Sequence, residues 1–158
     1  MKPRVYIETT IPSFYHEVRP EASMVARREW TRQWWDAHHD DYETVTSIAV
    51  HEELEEGTHP KKQETLKLIE PIEVLSIDET IVEIVDAYVE NKVMPQDPRG
   101  DALHLAVASY HRCQFLLTWN CAHLANANKF EHIRHINHVL GLYVPTLTTP
   151  MELLNQEM

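Results

Sequence analysis

Glu8, Glu53, Asp101 and Asn120 are the side chains whose sequence surroundings suit them least. Glu8 directly follows the apolar run Val5-Tyr6-Ile7, so a carboxylate stands where a buried strand ends, although an isolated charge there is costly to desolvate. In SIAVHEELEE (47–56), helical spacing puts Ala49, Val50 and Leu54 on one face with Glu53 among them. Glu52, Glu55 and Glu56 project to the other side. The plain alternative for Glu53 is a boundary carboxylate that snorkels to water. Asp101 lies about one turn into a helix within PQDPRGDALHLAVASY (95–110), which is otherwise apolar nearly all round and so buried on most sides. The helix dipole favours Asp101 by only about 0.3–1 kcal/mol. That is too little to support a desolvated anion, so Asp101 requires a cation. Asn120 follows FLLT (115–118) where a helix cap belongs. Capping is its simplest role, and its position also makes it available to a ligand. Asp97 is accounted for by capping alone, with Pro98 as first helical residue.

These residues need elements that bring them together. Strand candidates are 4–8, 43–46, 72–75, 115–118 and 143–146, the last weakened by Pro145. Helical patterns cover roughly 11–18, 21–39, 47–56 with Ser47 as N-cap, 60–70, 78–92, 98–112 and 121–140. Strands separated by helices predict a parallel sheet covered on both faces. Right-handed crossovers then place helix N-termini at the carboxyl edge of the sheet, where ligands of open α/β folds bind. Glu8, Glu53, Asp101 and Asn120 all map to that edge. Two carboxylates ~5 Å apart at an effective dielectric of ~20 repel by roughly 3 kcal/mol. Three mutual pairs approach ~10 kcal/mol, comparable to the stability of a domain. Either one acid stays protonated or a divalent cation holds them together. An all-oxygen ligand set suits Mg²⁺ or Mn²⁺.

Composition sets the bounds. A chain of 158 residues, 43% hydrophobic and 25% charged, suits one globular domain over 1–158. Only three glycines occur, with no linker, repeat or low-complexity tract. MKPRVYIE carries no long apolar stretch of the signal-peptide kind, and no later run is long enough to span a bilayer. Cys113 and Cys121 form neither a CxxC pair nor a zinc framework, which fits a reducing cytosol and predicts a cytoplasmic protein. The net charge of −11 argues against a large phosphate-binding surface, though not against a small basic patch or a metal-filled acidic pocket. Arg27, Arg28 and Arg32 on one segment, and Arg99, Arg112 and Arg134 elsewhere, read as solvated helix surface.

The ordered set of motifs resembles the PIN-domain ribonucleases, especially VapC-type toxins of toxin–antitoxin pairs. The resemblance rests on Glu8-Thr9-Thr10 ending the first strand, Glu53-Leu54 in TSIAVHEEL, Asp101 in GDALHLAVA and Thr118-Trp119-Asn120 after the fourth strand, spread over about residues 4 to 146. Two departures alter the chemistry. Glu8 stands where Asp is commoner and reaches one methylene further. Asn120 replaces the more frequent Asp and removes a negative charge, which weakens a second metal site. The resemblance implies a three-layer α/β/α sandwich with a parallel sheet of about five strands, and hydrolysis of RNA phosphodiester bonds. It makes Glu8, Glu53 and Asp101 the ligands of Mg²⁺ or Mn²⁺, with Asn120 completing the site directly or through water. Thr9 or Thr118 would position water or phosphate, or simply satisfy backbone groups. It also implies an antitoxin protein as partner and a homodimer.

Other readings compete. A catalytically weak or inactive PIN-like domain would act through protein or nucleic-acid binding. His132, His135 and His138 recur at helical spacing, but without an HExxH acid they read as a polar helix stripe rather than a zinc site. His104 beside Asp101 lies within reach of the site edge, with packing the plainer reading. Trp30, Trp34 and Trp35 form a hydrophobic stripe suited to the core or to a partner surface. ETT lacks the DxD of aspartyl phosphatases, and no GxxxxGK or GxGxxG loop is present.

Overall fold

The computed structural model describes residues 1–95 and 99–154, with Arg99 described in its backbone alone; the capping assigned to Asp97 falls outside them. Five short strands carry the apolar runs: β1 (Arg4–Ile7), β2 (Glu43–Ser47), β3 (Glu73–Leu75), β4 (Phe115–Leu117) and β5 (Thr146–Thr148). They form one parallel sheet in the order β3-β2-β1-β4-β5. The central strand is buried on both faces, with Val5, Tyr6 and Ile7 fully enclosed, as a covered parallel sheet requires.

Among the described residues, eight α-helices accompany the strands: α1 (Thr10–Tyr15), α2 (Ala22–His38), α3 (Ile48–Glu56), α4 (Lys62–Ile69), α5 (Glu79–Glu90), α6 (Arg99–Tyr110), α7 (Ala127–Val139) and α8 (Pro150–Leu154). The architecture is the expected three-layer α/β/α sandwich. Helix α2 packs on α1 and α8, and α6 packs on α5 and α3. Ala102, Leu105, Ala106, Val107 and Ala108 of α6 are all buried, the all-round burial that its composition predicts. Trp34 and Trp35 enter the core. No helix among the described residues is long and apolar enough to cross a membrane.

Beyond shifts of a few residues at other ends, two elements start later than the sequence reading and one helix was not expected. β5 begins at Thr146 rather than at residue 143, because Pro145 has no N–H to give the ladder. α7 starts at Ala127, where the Asn126 side chain accepts from the Asn128 N–H and caps it, and residues 121–125 form turns instead. α8 was absent from the expected helices. Its TPME start is side-chain capped: Glu152 N–H donates to Thr149 Oγ1, Thr149 Oγ1 donates to Glu152 Oε1, and Pro150 opens the helix.

The chain leaves β1 toward β2 and β3 on one side, then returns to place β4 on the other. The sheet therefore has its topological switch point between β1 and β4, where the crevice of an open α/β sheet forms. Ile7 pairs with Leu117 across that point. The next residues on the two strands are Glu8 and Thr118.

Candidate functional site

Glu8 leaves β1 with its N–H donating to Leu117 O (3.2 Å) and its side chain only 4% exposed. Its Oε1 accepts from Thr10 N–H (3.1 Å), Thr10 Oγ1 (2.5 Å) and Thr118 Oγ1 (2.6 Å). Two of these donors come from the start of α1, and the third from the end of β4. Hydroxyl and amide donors therefore hold the carboxylate that ends the first strand, and no Lys or Arg pairs with it among the described residues.

Glu53 projects from α3 toward the same edge, while Glu52, Glu55 and Glu56 are exposed on the other side, as the helical spacing predicts. His104 Nε2 donates to Glu53 Oε1 at 2.5 Å, and Thr9 Oγ1 donates to Oε2 at 3.1 Å. His104 is 1% exposed, and its other ring nitrogen, Nδ1, lies 2.7 Å from the Tyr6 hydroxyl. That hydroxyl lies 2.7 Å from Ser47 Oγ in turn. His104 is thus a bonded member of the site rather than packing. Ser47 occupies the N-cap position of α3 without its side chain capping the helix, because its hydroxyl serves Tyr6.

The charges follow from these contacts. Burial alone would raise the Glu53 carboxyl, but the hydrogen bond and charge of His104, with the Thr9 bond, bring it below its ordinary value. Burial pulls the His104 imidazole down, and the Glu53 hydrogen bond and charge, with the charges of Glu8 and Asp101, outweigh it and raise the ring. The acids facing His104 thus favour its protonated form, which would offset part of their charge. Desolvation raises the Tyr6 phenol well above its ordinary value, so it stays a neutral hydrogen-bonding bridge.

Asp101 sits in the first turn of α6, 8% exposed. Its Oδ1 accepts from Asn120 Nδ2 (3.0 Å), while Oδ2 is buried without a hydrogen-bond partner among the described residues. Asn120 also caps the turn that follows it, its Oδ1 accepting from His123 N–H (3.0 Å). The carbonyl oxygen through which Asn120 was expected to meet a cation is therefore engaged locally. Asn120 N–H donates to Thr118 Oγ1 (2.9 Å), which links Asp101 through Asn120 and Thr118 to Glu8. Gly100, one residue before Asp101, faces Glu53: a Cβ there would lie 3.2 Å from Glu53 Oε1. Glycine lets the start of α6 approach α3.

The four expected residues therefore share one hydrogen-bonded edge at the switch point. Thr9 and Thr118 each hold a carboxylate there. Sequence reading missed Thr10, Ser47 and Tyr6 as participants. The second threonine of ETT was the available signal for Thr10, since it is close enough in sequence to fold back on Glu8.

Two observations bear on a metal. Among the described residues, no group of three or more His, Cys, Asp or Glu is arranged to hold a metal ion. On the other side stands Asp101 Oδ2, a buried carboxylate oxygen that no donor among the described residues satisfies, an arrangement that carries a desolvation cost. The surrounding acceptors are oxygens, the donor chemistry of Mg²⁺ and Mn²⁺. Asp101 thus fits a hard cation, without a preformed cage of all three acids. The histidines of α7 do not group: His132 Nε2 is bonded to Asn91 O. Compared with family models, curated proteins and solved structures, the chain matches none.

Proposed function

We propose that the chain is a metal-dependent endoribonuclease that hydrolyses RNA phosphodiester bonds, a PIN-like domain of the VapC toxin kind. The observation that carries this reading is the orphaned, buried Oδ2 of Asp101 beside Glu8 and Glu53 at the switch point of a parallel sheet. Asp101, Glu8 and Glu53 are the residues that would hold Mg²⁺ or Mn²⁺, with Asn120 orienting Asp101 from the side. The chemistry such a cation supplies is Lewis-acid polarisation of a phosphoryl oxygen and acidification of a water.

The remaining work belongs to the chain. Thr10 and Thr118 fix Glu8, and Thr9 and His104 fix Glu53, so neither carboxylate has to reorganise when a phosphate arrives. Tyr6 and Ser47 hold the far side of the His104 ring. On this reading the partners are RNA, an antitoxin protein and a second copy of the chain in a cytoplasmic homodimer.

A second reading has its own support. The absence of a metal-holding group among the described residues, and the engaged carbonyl of Asn120, favour a catalytically weak or inactive domain that acts by binding protein or nucleic acid. The two separate in one assay on a mixed RNA pool with Mg²⁺, Mn²⁺ or EDTA. The nuclease reading expects cleavage that chelation stops and that Glu8→Gln and Asp101→Asn each reduce by at least about a hundredfold, roughly 2.7 kcal/mol of transition-state stabilisation. Cleavage indifferent to chelation and to both substitutions, or none by the parent chain, rejects it.

A further inference from the structure

We infer that Arg27 is a phosphate-binding residue for single-stranded RNA, mounted on the aromatic shelf beside the acidic site. The inference rests on the nucleic-acid part of the proposed function and deepens it. Trp119 lies between Thr118, which bonds Glu8, and Asn120, which bonds Asp101. Its backbone N–H donates to Thr10 Oγ1 (2.8 Å), and its indole Nε1 donates to Thr31 Oγ1 (2.8 Å). Thr31 Oγ1 in turn donates to the Arg27 carbonyl (2.6 Å). The loop that carries two site residues is thereby fastened to the turn of α2 that carries Arg27.

The Arg27 guanidinium lies over both Trp119 (5.2 Å to the ring centroid) and Phe14 (5.6 Å). Trp30 stacks on Trp119 from elsewhere on the same helix (6.1 Å, 27°). Trp119 is only 6% exposed, so these rings form a support for the arginine rather than a platform for bases.

The neighbouring cations have internal partners. Arg19 is paired with Glu17, Arg28 bonds Glu29 and the Glu17 carbonyl, and Arg32 donates to the Tyr15 carbonyl. Arg27 has ring contacts but no hydrogen bond or ion pair with any described residue. The aromatic faces hold the plane of the guanidinium, and its five N–H donors are left for an external acceptor. A planar fork of this kind matches the oxygens of a phosphate. A chain of net charge −11 with a carboxylate site repels RNA unless a cation is set beside that site. Arg27 meets that requirement one residue away from the acidic network.

The test is binding without cleavage. Fluorescence anisotropy of the full chain with a labelled single-stranded RNA, in EDTA and across a salt series, reads affinity and its salt slope. Arg27→Ala is expected to weaken binding about tenfold or more and to reduce the slope of log affinity against log salt by about 0.7. Arg27→Lys restores the slope but only part of the affinity, because it keeps the charge and loses the fork. Inorganic phosphate at matched ionic strength, added as competitor, separates RNA from a free-phosphate site: displacement at low millimolar phosphate would assign Arg27 to the free ion and overturn the RNA assignment. Unchanged affinity and slope in Arg27→Ala overturn the inference, as does a parent chain that binds no RNA. Arg27-dependent binding by a parent chain that never cleaves RNA leaves the inference standing while the nuclease reading falls.

Discussion

Glu53 and Asp101 represent two ways of settling a carboxylate at this edge, Glu53 with its side chain 38% exposed and Asp101 buried. Glu53 is matched to His104, and the match sets a pH window. The His104 ring is raised by Glu53 first, then by Glu8 and Asp101, which are the charges facing it. A raised histidine contributes stability that is complete below its unfolded value of about 6.5 and is lost as pH rises through the higher folded value. Glu53 is lowered, so its contribution is complete above its unfolded value of about 4.3 and is lost as pH falls through the lower folded one. The difference in thermal midpoint between the parent chain and His104→Gln is therefore expected to be widest between about pH 4.5 and 6.5 and to narrow on both sides. A difference flat from pH 4 to 9 would deny the pair its charge. Asp101 has only half its oxygens satisfied, and that half comes from a neutral amide. The sequence showed Asp101 as an anion in an apolar helix and set His104 near the site edge, but not what the ring bonds. An imidazole within LHLAV reads the same whether it is packed or bonded, and its partner Glu53 lies 51 residues away.

Helices α3 and α6 meet where Gly100 faces Glu53, and that contact carries the next prediction. A methyl at Gly100 would sit 3.2 Å from a carboxylate oxygen, close enough that the side chain must give way by a few tenths of an ångström. Alanine is also the better helix former by about 1 kcal/mol in a helix interior and by less in a first turn. Gly100→Ala is expected to leave the thermal midpoint level or slightly raised while lowering RNA cleavage about tenfold, since shifts well under an ångström at a catalytic carboxylate are costly. A parallel fall in both would mean the glycine serves only packing. At this scale most of the structure was legible from apolar spacing, and the misses have local causes. Pro145 moved a strand and Asn126 delayed a helix. TPME announced α8 through chemistry that periodicity alone does not register in so short a helix.

The whole molecule places its acids at the one edge where an open parallel sheet divides, and this follows from strand order alone. Sequence order gave the α/β class, but it could not give the distances between side chains from separate strands and helices. The expected crowding of three bare carboxylates is met instead by threonines, a histidine and an asparagine. A cation bound at Asp101 adds stability by mass action, about 2.7 kcal/mol at a hundred times its dissociation constant. Thermal unfolding in Mg²⁺ or Mn²⁺ is expected to occur several degrees above unfolding in EDTA for the parent chain, and at the same temperature in both for Asp101→Asn. Equal midpoints for the parent chain at saturating Mn²⁺ would remove the metal from the proposal.

One of the hydroxyls that steadies Glu8 belongs to Thr118, 110 positions further along the chain. A nascent chain must therefore deliver its fourth strand before Glu8 has that donor. A fragment cut after Gln114 would keep Glu8, Glu53 and Asp101 but lose Thr118 and Asn120, and with them the bonds these two give to Glu8 and Asp101.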